Sequence, residues 1–253
     1  MLKEERQQFI LHRFNTTGRA VTNELKEELG VSEDTIRKDF QELSRNGKVI
    51  RIHGGVLKSE DRLVDFNVRA EQQPSQKLLL ASQAAELFRG RHVLYIDSGT
   101  TNLKLAEVIE PSFTGTISTN SPASSLQLCN GPGAEVSLLG GSLQKTTKIV
   151  MGSHAMSQLA GLNIECSFIG VSSLSIEHGI TLPLQEETYL KQAAIRQSKE
   201  VIVIATKEIL GTVSAFYCAD LSVIDTMVTN ETNPAVLEPY RQCGIKVISV
   251  ETA

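Results

Sequence analysis

No stretch of this chain is long and apolar enough to span a bilayer. The longest apolar runs, such as "KEVIVIAT" at 199–206, fall far short of the roughly 20 residues that a membrane helix needs. The charged opening "MLKEERQQ" is followed by no signal-peptide apolar segment. A cytoplasmic protein with no membrane partner is expected. Cysteine is scarce too. Cys129, Cys166, Cys218 and Cys243 lie far apart with no Cys-x-x-Cys, which argues against a zinc site and supplies no disulfide framework. Reduced, packed thiols are expected. The nucleotide-binding glycine patterns are missing, since neither Gly-x-x-x-x-Gly-Lys nor Gly-x-Gly-x-x-Gly occurs. Net charge is small: 25 basic against 29 acidic side chains leave −4 over 253 residues.

What is present is an ordinary globular composition, 41% hydrophobic and 21% charged, enough for a core without metal or disulfide support. A chain of this length predicts two domains. The charge is spread unevenly between them. Residues 1–58 hold eleven Lys/Arg and nine Asp/Glu, net plus 2, so the remainder must hold minus 6. Between Arg37 and Lys58 six basic residues stand against two acidic ones, which concentrates positive potential in one short segment.

From Glu4 to Phe14, apolar Phe9, Ile10 and Phe14 recur at helical spacing, and "NTTGR" then supplies turn residues. Thr22 is a candidate N-cap for a short second helix with Leu25 and Leu29 one turn apart, ended by Gly30. Ser32 caps a third helix, whose core stripe is Ile36, Phe40 and Leu43. Asp34, Lys38, Gln41 and Arg45 then fall on the opposite side, flanked by Thr35 and Arg37. Helices two and three, joined by a tight glycine turn, make a helix-turn-helix whose third helix would read the major groove of double-stranded operator DNA. "KVIRIHGGV" follows, with β-favouring Val49, Ile50 and Ile52 and a Gly54-Gly55 turn, and predicts a wing. Ser32, which opens the reader helix, is itself a candidate DNA contact. Thr35, Arg37 and Lys38 would serve phosphates and base edges, and Arg51 and His53 the backbone or the neighbouring minor groove. A small helical subdomain with a solvated charged face is the alternative. The basic wing directly after it weighs against that reading.

Residues 1–58 are thus a winged helix-turn-helix domain, the polar residues 59–73 a linker, and residues 74–253 an α/β domain. Pro74 to Phe88 reads as an amphipathic helix, "HVLYI" as a strand, "DSGTTN" as a loop, and Leu103 to Ile109 as a helix. Further strands are predicted at "GTIST", "AEVSLLG", "CSFIGV", "EVIVIA", "IDTMVT" and "IKVISV", with helical segments between most of them. Short apolar strands separated by helices indicate a mainly parallel sheet covered on both faces, and such sheets bind ligands beyond the carboxyl ends of their strands. Loops rich in small and hydroxyl residues recur there: 97–102, 118–122, 139–142 and 170–173. In the first, a strand runs through Ser98-Gly99-Thr100-Thr101 into a helix, offering amides, hydroxyls and a positive helix end to a phosphate. A small phosphorylated ligand fits better than a nucleotide. One such loop alone is commonly an ordinary turn; four at equivalent strand ends point to a pocket.

Catalytic candidates are few. His154 and His178 have no metal-ligand spacing, and no metal or cofactor is expected. Asp97 is a candidate base, or it pins its loop by accepting backbone N–H bonds. Glu187 and Lys191, four residues apart on one predicted helix, form a surface ion pair or contribute charge to the pocket.

The stretch from Arg6 to Val56 resembles the N-terminal winged helix of DeoR-type bacterial transcriptional regulators. "YIDSGTTNLKLAEVI", "TNS", "LLGGSL", "FIGVSSLSIEHGITLPLQEETYLKQAAI" and "IDTMVTN" resemble their C-terminal sugar-phosphate sensor. The resemblance implies a sensor fold similar to ribose-5-phosphate isomerase and a DNA-binding regulator, commonly a repressor of carbohydrate uptake or catabolism genes, modulated by a phosphorylated sugar. It places Asp97, Ser98, Gly99, Thr100 and Thr101 in the phosphate loop, Asn120, Gly140 and Gly141 in its neighbouring walls, and Glu187 with Lys191 on the helix that closes the site. Two places depart from the family. Its usual Asp-x-Ser-Lys reads "TKEI" here, with Lys207, the effector candidate at that place, two positions early. Its Asp-Gly after the "FIGA" strand is replaced by Ser172-Ser173. Together these readings imply a non-enzymatic homo-oligomer, dimer or tetramer, that reads a repeated or palindromic operator. The alternatives are an isomerase-like enzyme with an appended helical domain, and a regulator whose sensor no longer takes a ligand.

Overall fold

The computed structural model describes residues 3–17, 19–45, 49–52, 55–58, 65–131 and 133–251. The chain divides into two compact units, residues 1–62 and 63–253.

In the first unit α1 (Lys3–Thr17), β1 (Arg19–Val21), α2 (Thr22–Leu29), α3 (Glu33–Arg45), β2 (Val49–Ile52) and β3 (Gly55–Lys58) follow one another. Ile10, Ala20, Leu25, Ile36, Phe40 and Leu43 are buried in one cluster, so the stripe read from α3 is its core face. Gly30 ends α2 in the left-handed conformation at φ 63°, which costs a residue without Cβ little. Ser32 caps α3 as expected, its Oγ accepting from the Thr35 amide at 3.2 Å. Thr22 does not cap α2. It is already the first helical residue, and Val21 holds the cap position without a side-chain bond. Val21 is paired with Gly55, so the strand rather than a hydroxyl fixes where α2 begins. The antiparallel strand order β1-β3-β2 makes the wing a three-stranded sheet rather than a bare hairpin.

In the second unit the order is α4 (Phe66–Glu71), α5 (Pro74–Ala85), β4 (Val93–Ile96), α6 (Thr100–Val108), β5 (Thr116–Thr119), α7 (Pro122–Leu128), β6 (Glu135–Leu138), β7 (Ser142–Gln144), β8 (Ile149–Met151), α8 (Ser153–Ala160), β9 (Ile164–Ile169), β10 (Ser173–Ser175), β11 (Gly179–Leu182), α9 (Gln185–Gln197), β12 (Ser198–Ala205), β13 (Phe216–Ala219), β14 (Thr226–Thr229), α10 (Pro234–Gln242) and β15 (Lys246–Ser249). The seven predicted strands form one sheet, β15-β14-β12-β9-β4-β5-β6, with every neighbouring pair parallel. Both faces are apolar, as a doubly covered parallel sheet requires. Leu94, Ile96, Phe168, Ile202 and Ile204 pack with residues of α5, α6 and α7 on one side. Tyr95, Ile169, Val201 and Val203 pack with residues of α8, α9 and α10 on the other.

Four features of this unit lie outside the sequence expectation. The β7–β8 hairpin and the three-stranded β10-β11-β13 sheet are antiparallel additions. Residues 66–71, placed within the linker by their polar composition, are helical: Asp65 caps them by accepting from the Asn67 amide at 2.8 Å, and Phe66 is buried. α6 begins at Thr100, not Leu103, so both loop threonines belong to its first turn.

Candidate functional site

The reader helix α3 turns Arg37 and Lys38 to solvent, with side chains 62% and 74% exposed. Each is paired with the acid four residues earlier, Arg37 with Glu33 at 2.6 Å and Lys38 with Asp34 at 2.8 Å. Asp34, by hydrogen bond and charge, raises the Lys38 ammonium above its ordinary value, so it remains a cation at any physiological pH. Thr35 is half-buried and its Oγ1 lies 2.8 Å from Ser32 Oγ. Asp39 behaves differently. It is buried and tied to α1 by two bonds from Arg6, one of 3.1 Å, which anchors the reader helix to its support. Arg51 falls in β2, and His53 lies outside the described residues.

In the second unit, β9, β4, β5 and β6 are adjacent and parallel, so the four small-residue loops emerge side by side along one edge. Asp97, directly after β4, is fully buried. Its Oδ2 accepts from the Gly170 amide at 3.0 Å and from Lys191 Nζ. Lys191 also pairs with Glu187 at 3.1 Å, and both side chains are buried. The Glu187–Lys191 pair is therefore not a surface pair: it forms a buried triad with Asp97. Burial alone would lower the Lys191 pKa, but the two carboxylates outweigh it and hold the ammonium above its ordinary value. Tyr95, whose OH lies 3.4 Å from Asp97 Oδ1, is pushed well up, first by burial and then by Asp97.

This anchoring fixes the loop that follows. Gly99 stands at φ 131°, a region favouring glycine, and hands the chain to α6 at Thr100. The Ser98 amide donates to Asn120 Oδ1 at 2.7 Å, which ties the loop after β4 to the one after β5. Asn120 is buried, and its Nδ2 has no hydrogen-bond partner among the described residues. Ser98 and Thr100 are buried, and Thr101 is partly exposed.

Other candidates sit further out. The Gly140 amide donates to Gln158 at 2.7 Å; Gly141 has φ 149°, and a Cβ there would lie 2.4 Å from the Met151 carbonyl. Both lie between β6 and the β7–β8 hairpin, and at Gly140 a Cβ would lie 2.9 Å from the His154 ring of α8. Lys207 is exposed on the edge beyond β12, two strands from β4, and its amide donates to Asn230 at 2.8 Å. Ser173, at the second departure, is buried in β10 and pairs with Ser214 at 2.9 Å.

Several participants are not singled out by the sequence reading. Asn102 donates to the carbonyls of Asp97 and Phe168 at 3.0 and 2.9 Å, stitching β4 to β9. Gly170 is obligatory for a different reason, since a Cβ would lie 2.3 Å from the Ser98 carbonyl. Both stand inside stretches that catch the eye, "DSGTTN" and "GVSS", yet nothing in their spacing reveals the partner. Among the described residues no cluster of His, Cys, Asp or Glu could hold a metal ion, and no helix is long and apolar enough to cross a membrane.

A winged helix-turn-helix joined in one chain to a doubly covered parallel sheet with a built strand-end site defines a DNA-binding transcriptional regulator carrying a sensor domain. Residues 6–61 match the DeoR-like helix-turn-helix domain, and residues 72–231 match the DeoR C terminal sensor domain. The chain belongs to the DeoR family of transcriptional regulators. It is 30% identical to the HTH-type transcriptional regulator GlpR of Haloferax volcanii, over 98% of each chain. It is 29% identical to the HTH-type transcriptional repressor GlcR of Bacillus subtilis, over 99% of this chain and 98% of that one. Among solved structures, ribose 5 phosphate isomerase A from Neisseria gonorrhoeae is similar at 14% identity and a TM-score of 0.39, covering 56% of this chain and 55% of that one.

Proposed function

We propose that this regulator represses genes of carbohydrate uptake or catabolism and that a phosphorylated sugar bound at the strand-end site of the second unit modulates it. Asn120 carries the ligand reading. A buried donor without a partner costs about 1–3 kcal/mol, a cost that a phosphate oxygen beside the Ser98–Thr101 turn removes. The first amides of α6, which have no carbonyl acceptor within the helix, and the hydroxyls of Ser98, Thr100 and Thr101 complete an anion cradle. Gly140 and Gly141 shape its neighbouring wall, and Lys207 lines the far end of the edge. Asp97, Glu187 and Lys191 hold the floor in place. Asp97 is already engaged by an ammonium and an amide, which supports a sensing role over turnover.

On the DNA side, Ser32 sets the start of the reader helix, Thr35, Arg37 and Lys38 meet phosphates and base edges, and Arg51 and His53 meet the backbone from the wing. Two or more copies read a repeated or palindromic operator, and the protein acts in the cytoplasm. The test is a fluorescence-anisotropy titration of the protein against the DNA upstream of its own gene, at two salt concentrations, with and without a panel of sugar phosphates. Tight, salt-sensitive binding altered by one compound is expected. Replacing Arg37 and Lys38 together by alanine should weaken binding and reduce the salt slope by about 2. Unchanged affinity in that double variant would sink the assignment of the reader helix.

A further inference from the structure

The face of the large sheet that carries Tyr95 is mostly apolar, but one short row across it is not. In the parallel register Tyr95 of β4 stands beside Ser118 of β5 on one side and Ser167 of β9 on the other. Their strand neighbours Leu94, Ile117 and Cys166 belong to the opposite core, so by alternation all three hydroxyls lie on the side that α8 and α9 cover. Two of them are engaged. Tyr95 donates to Asp97 Oδ1 at 3.4 Å, and Ser167 Oγ donates to the Glu200 carbonyl at 3.4 Å. Ser118 is buried, and its Oγ has no hydrogen-bond partner among the described residues.

Asn120 Nδ2 shares that condition, and it stands two residues further along the same chain. Two residues of strand span about 7 Å, so both unpartnered atoms fall within one strand repeat. Buried polar side chains in a folded protein nearly always find a partner, and two exceptions this close together mark a place built for a polar ligand. Asn120 lies just beyond the end of β5, beside the Ser98 amide that it accepts from. Ser118 lies within β5, one repeat deeper than the anion cradle. It is therefore placed for the part of a ligand that follows the phosphate, not for the phosphate itself.

The donor set says what that part is. A phosphate oxygen only accepts, and one of the two Asn120 N–H groups serves it. The other N–H needs an acceptor, and the Ser118 hydroxyl both donates and accepts. A ligand hydroxyl meets both demands, accepting from Asn120 while exchanging a hydrogen bond with Ser118. An alkyl group in its place would leave both protein groups buried and unpaired, which is how a site rejects an analogue that lacks a hydroxyl. We propose that Ser118 is a specificity-determining residue of the strand-end site, forming with Asn120 a subsite for a hydroxyl on the ligand's carbon chain, so that the site takes a polyhydroxylated phosphate ester in preference to an alkyl one. The proposal rests on the reading of the strand-end site as a sugar-phosphate site.

The experiment uses the full chain and three probes: inorganic phosphate, glycerol 3-phosphate and propyl phosphate, the last having the same carbon chain as the second and none of its hydroxyls. Affinities are measured calorimetrically for wild type, Thr101→Val and Ser118→Ala, together with the melting midpoint of each. The wild type should prefer glycerol 3-phosphate to propyl phosphate by at least about tenfold, and Ser118→Ala should reduce that preference by roughly fivefold to tenfold, the value of one neutral hydrogen bond. Ser118→Ala should also melt no lower than wild type, because it removes a buried hydroxyl that the protein itself does not pair. If the wild type binds none of the probes, or Thr101→Val binds them as tightly, the ligand-site reading fails and this inference with it. If Thr101→Val is weakened but the wild type does not distinguish the two esters, or Ser118→Ala distinguishes them equally well, the inference alone is overturned. A Ser118→Ala chain that melts several degrees lower, or does not fold, overturns it as well, since the hydroxyl would then be holding the structure together.

Discussion

Replacing Lys191 by methionine would leave two carboxylates, Asp97 and Glu187, buried side by side without their shared ammonium. Removing one partner of a buried ion pair costs about 3–5 kcal/mol, because the remaining charge stays uncompensated in a low-dielectric interior. Asp97→Asn is gentler. It leaves Lys191 and Glu187 as a one-to-one pair and forfeits a charged hydrogen bond worth roughly 1.5–3 kcal/mol. At roughly 2–4 °C per kcal/mol for a unit of this size, Lys191→Met should lower the melting midpoint by about 6–20 °C, and Asp97→Asn by less. The sequence supplies a clean assay. There is no tryptophan, and the four tyrosines, Tyr95, Tyr189, Tyr217 and Tyr240, all fall in the second unit, so tyrosine emission on heating reports that unit alone. The double variant should lose less than the sum of the single losses, since each change removes part of the reason the other hurts. A fall of under about 2 °C for Lys191→Met, or strictly additive losses, would refute the coupling of the triad.

Alkaline pH tests the same group from another side. The folded-state pKa values of Lys191 and Tyr95 are both raised, so their contributions are complete below their ordinary values of 10.5 and 10.0 and are lost as pH climbs through the folded values. The stability gap between wild type and Lys191→Met should accordingly narrow as pH climbs above 10.5, which urea titrations at stepped alkaline pH would show. Gly170→Ala puts a Cβ 2.3 Å from the Ser98 carbonyl; it should cost about 1–3 kcal/mol in urea unfolding and weaken phosphate binding by displacing the loop. Ser32→Ala removes the α3 cap and should lower the stability of the first unit by about 1 kcal/mol, read by far-UV circular dichroism.

How far the sequence goes depends on whether the determining contact is local. Ile36, Phe40 and Leu43 reveal the buried side of α3 because a helix writes its burial at fixed spacing, and the central strands of the parallel sheet, such as β4, β9, β12 and β14, show as short apolar runs because both of their faces are covered. The fate of Lys191 is not legible in this way. An i, i+4 Glu-Lys pair reads identically on a surface or in a core, and the partner that decides, Asp97, is 94 residues away. The start of α2 is missed because a strand pairing, Val21 with Gly55, overrides a plausible hydroxyl cap. α4 is missed because it offers a single buried apolar side chain, Phe66, in a polar stretch and is held by contacts to Thr146, Lys148 and Lys77. The short strands of β7–β8 and β10-β11-β13 are three or four residues long, too brief for a period to emerge.

Glu33 and Asp34 give the reader helix internal counterions. If Arg37 and Lys38 grip phosphates as proposed, each first lets go of a carboxylate on its own helix, so docking would be an exchange of partners rather than a simple gain. The penalty is the same on every stretch of duplex, and therefore leaves the ratio of operator to random affinity untouched. What it changes is time: contacts made through phosphates alone become shorter-lived, and a protein that lets go of the wrong sequence quickly searches more of the genome per second.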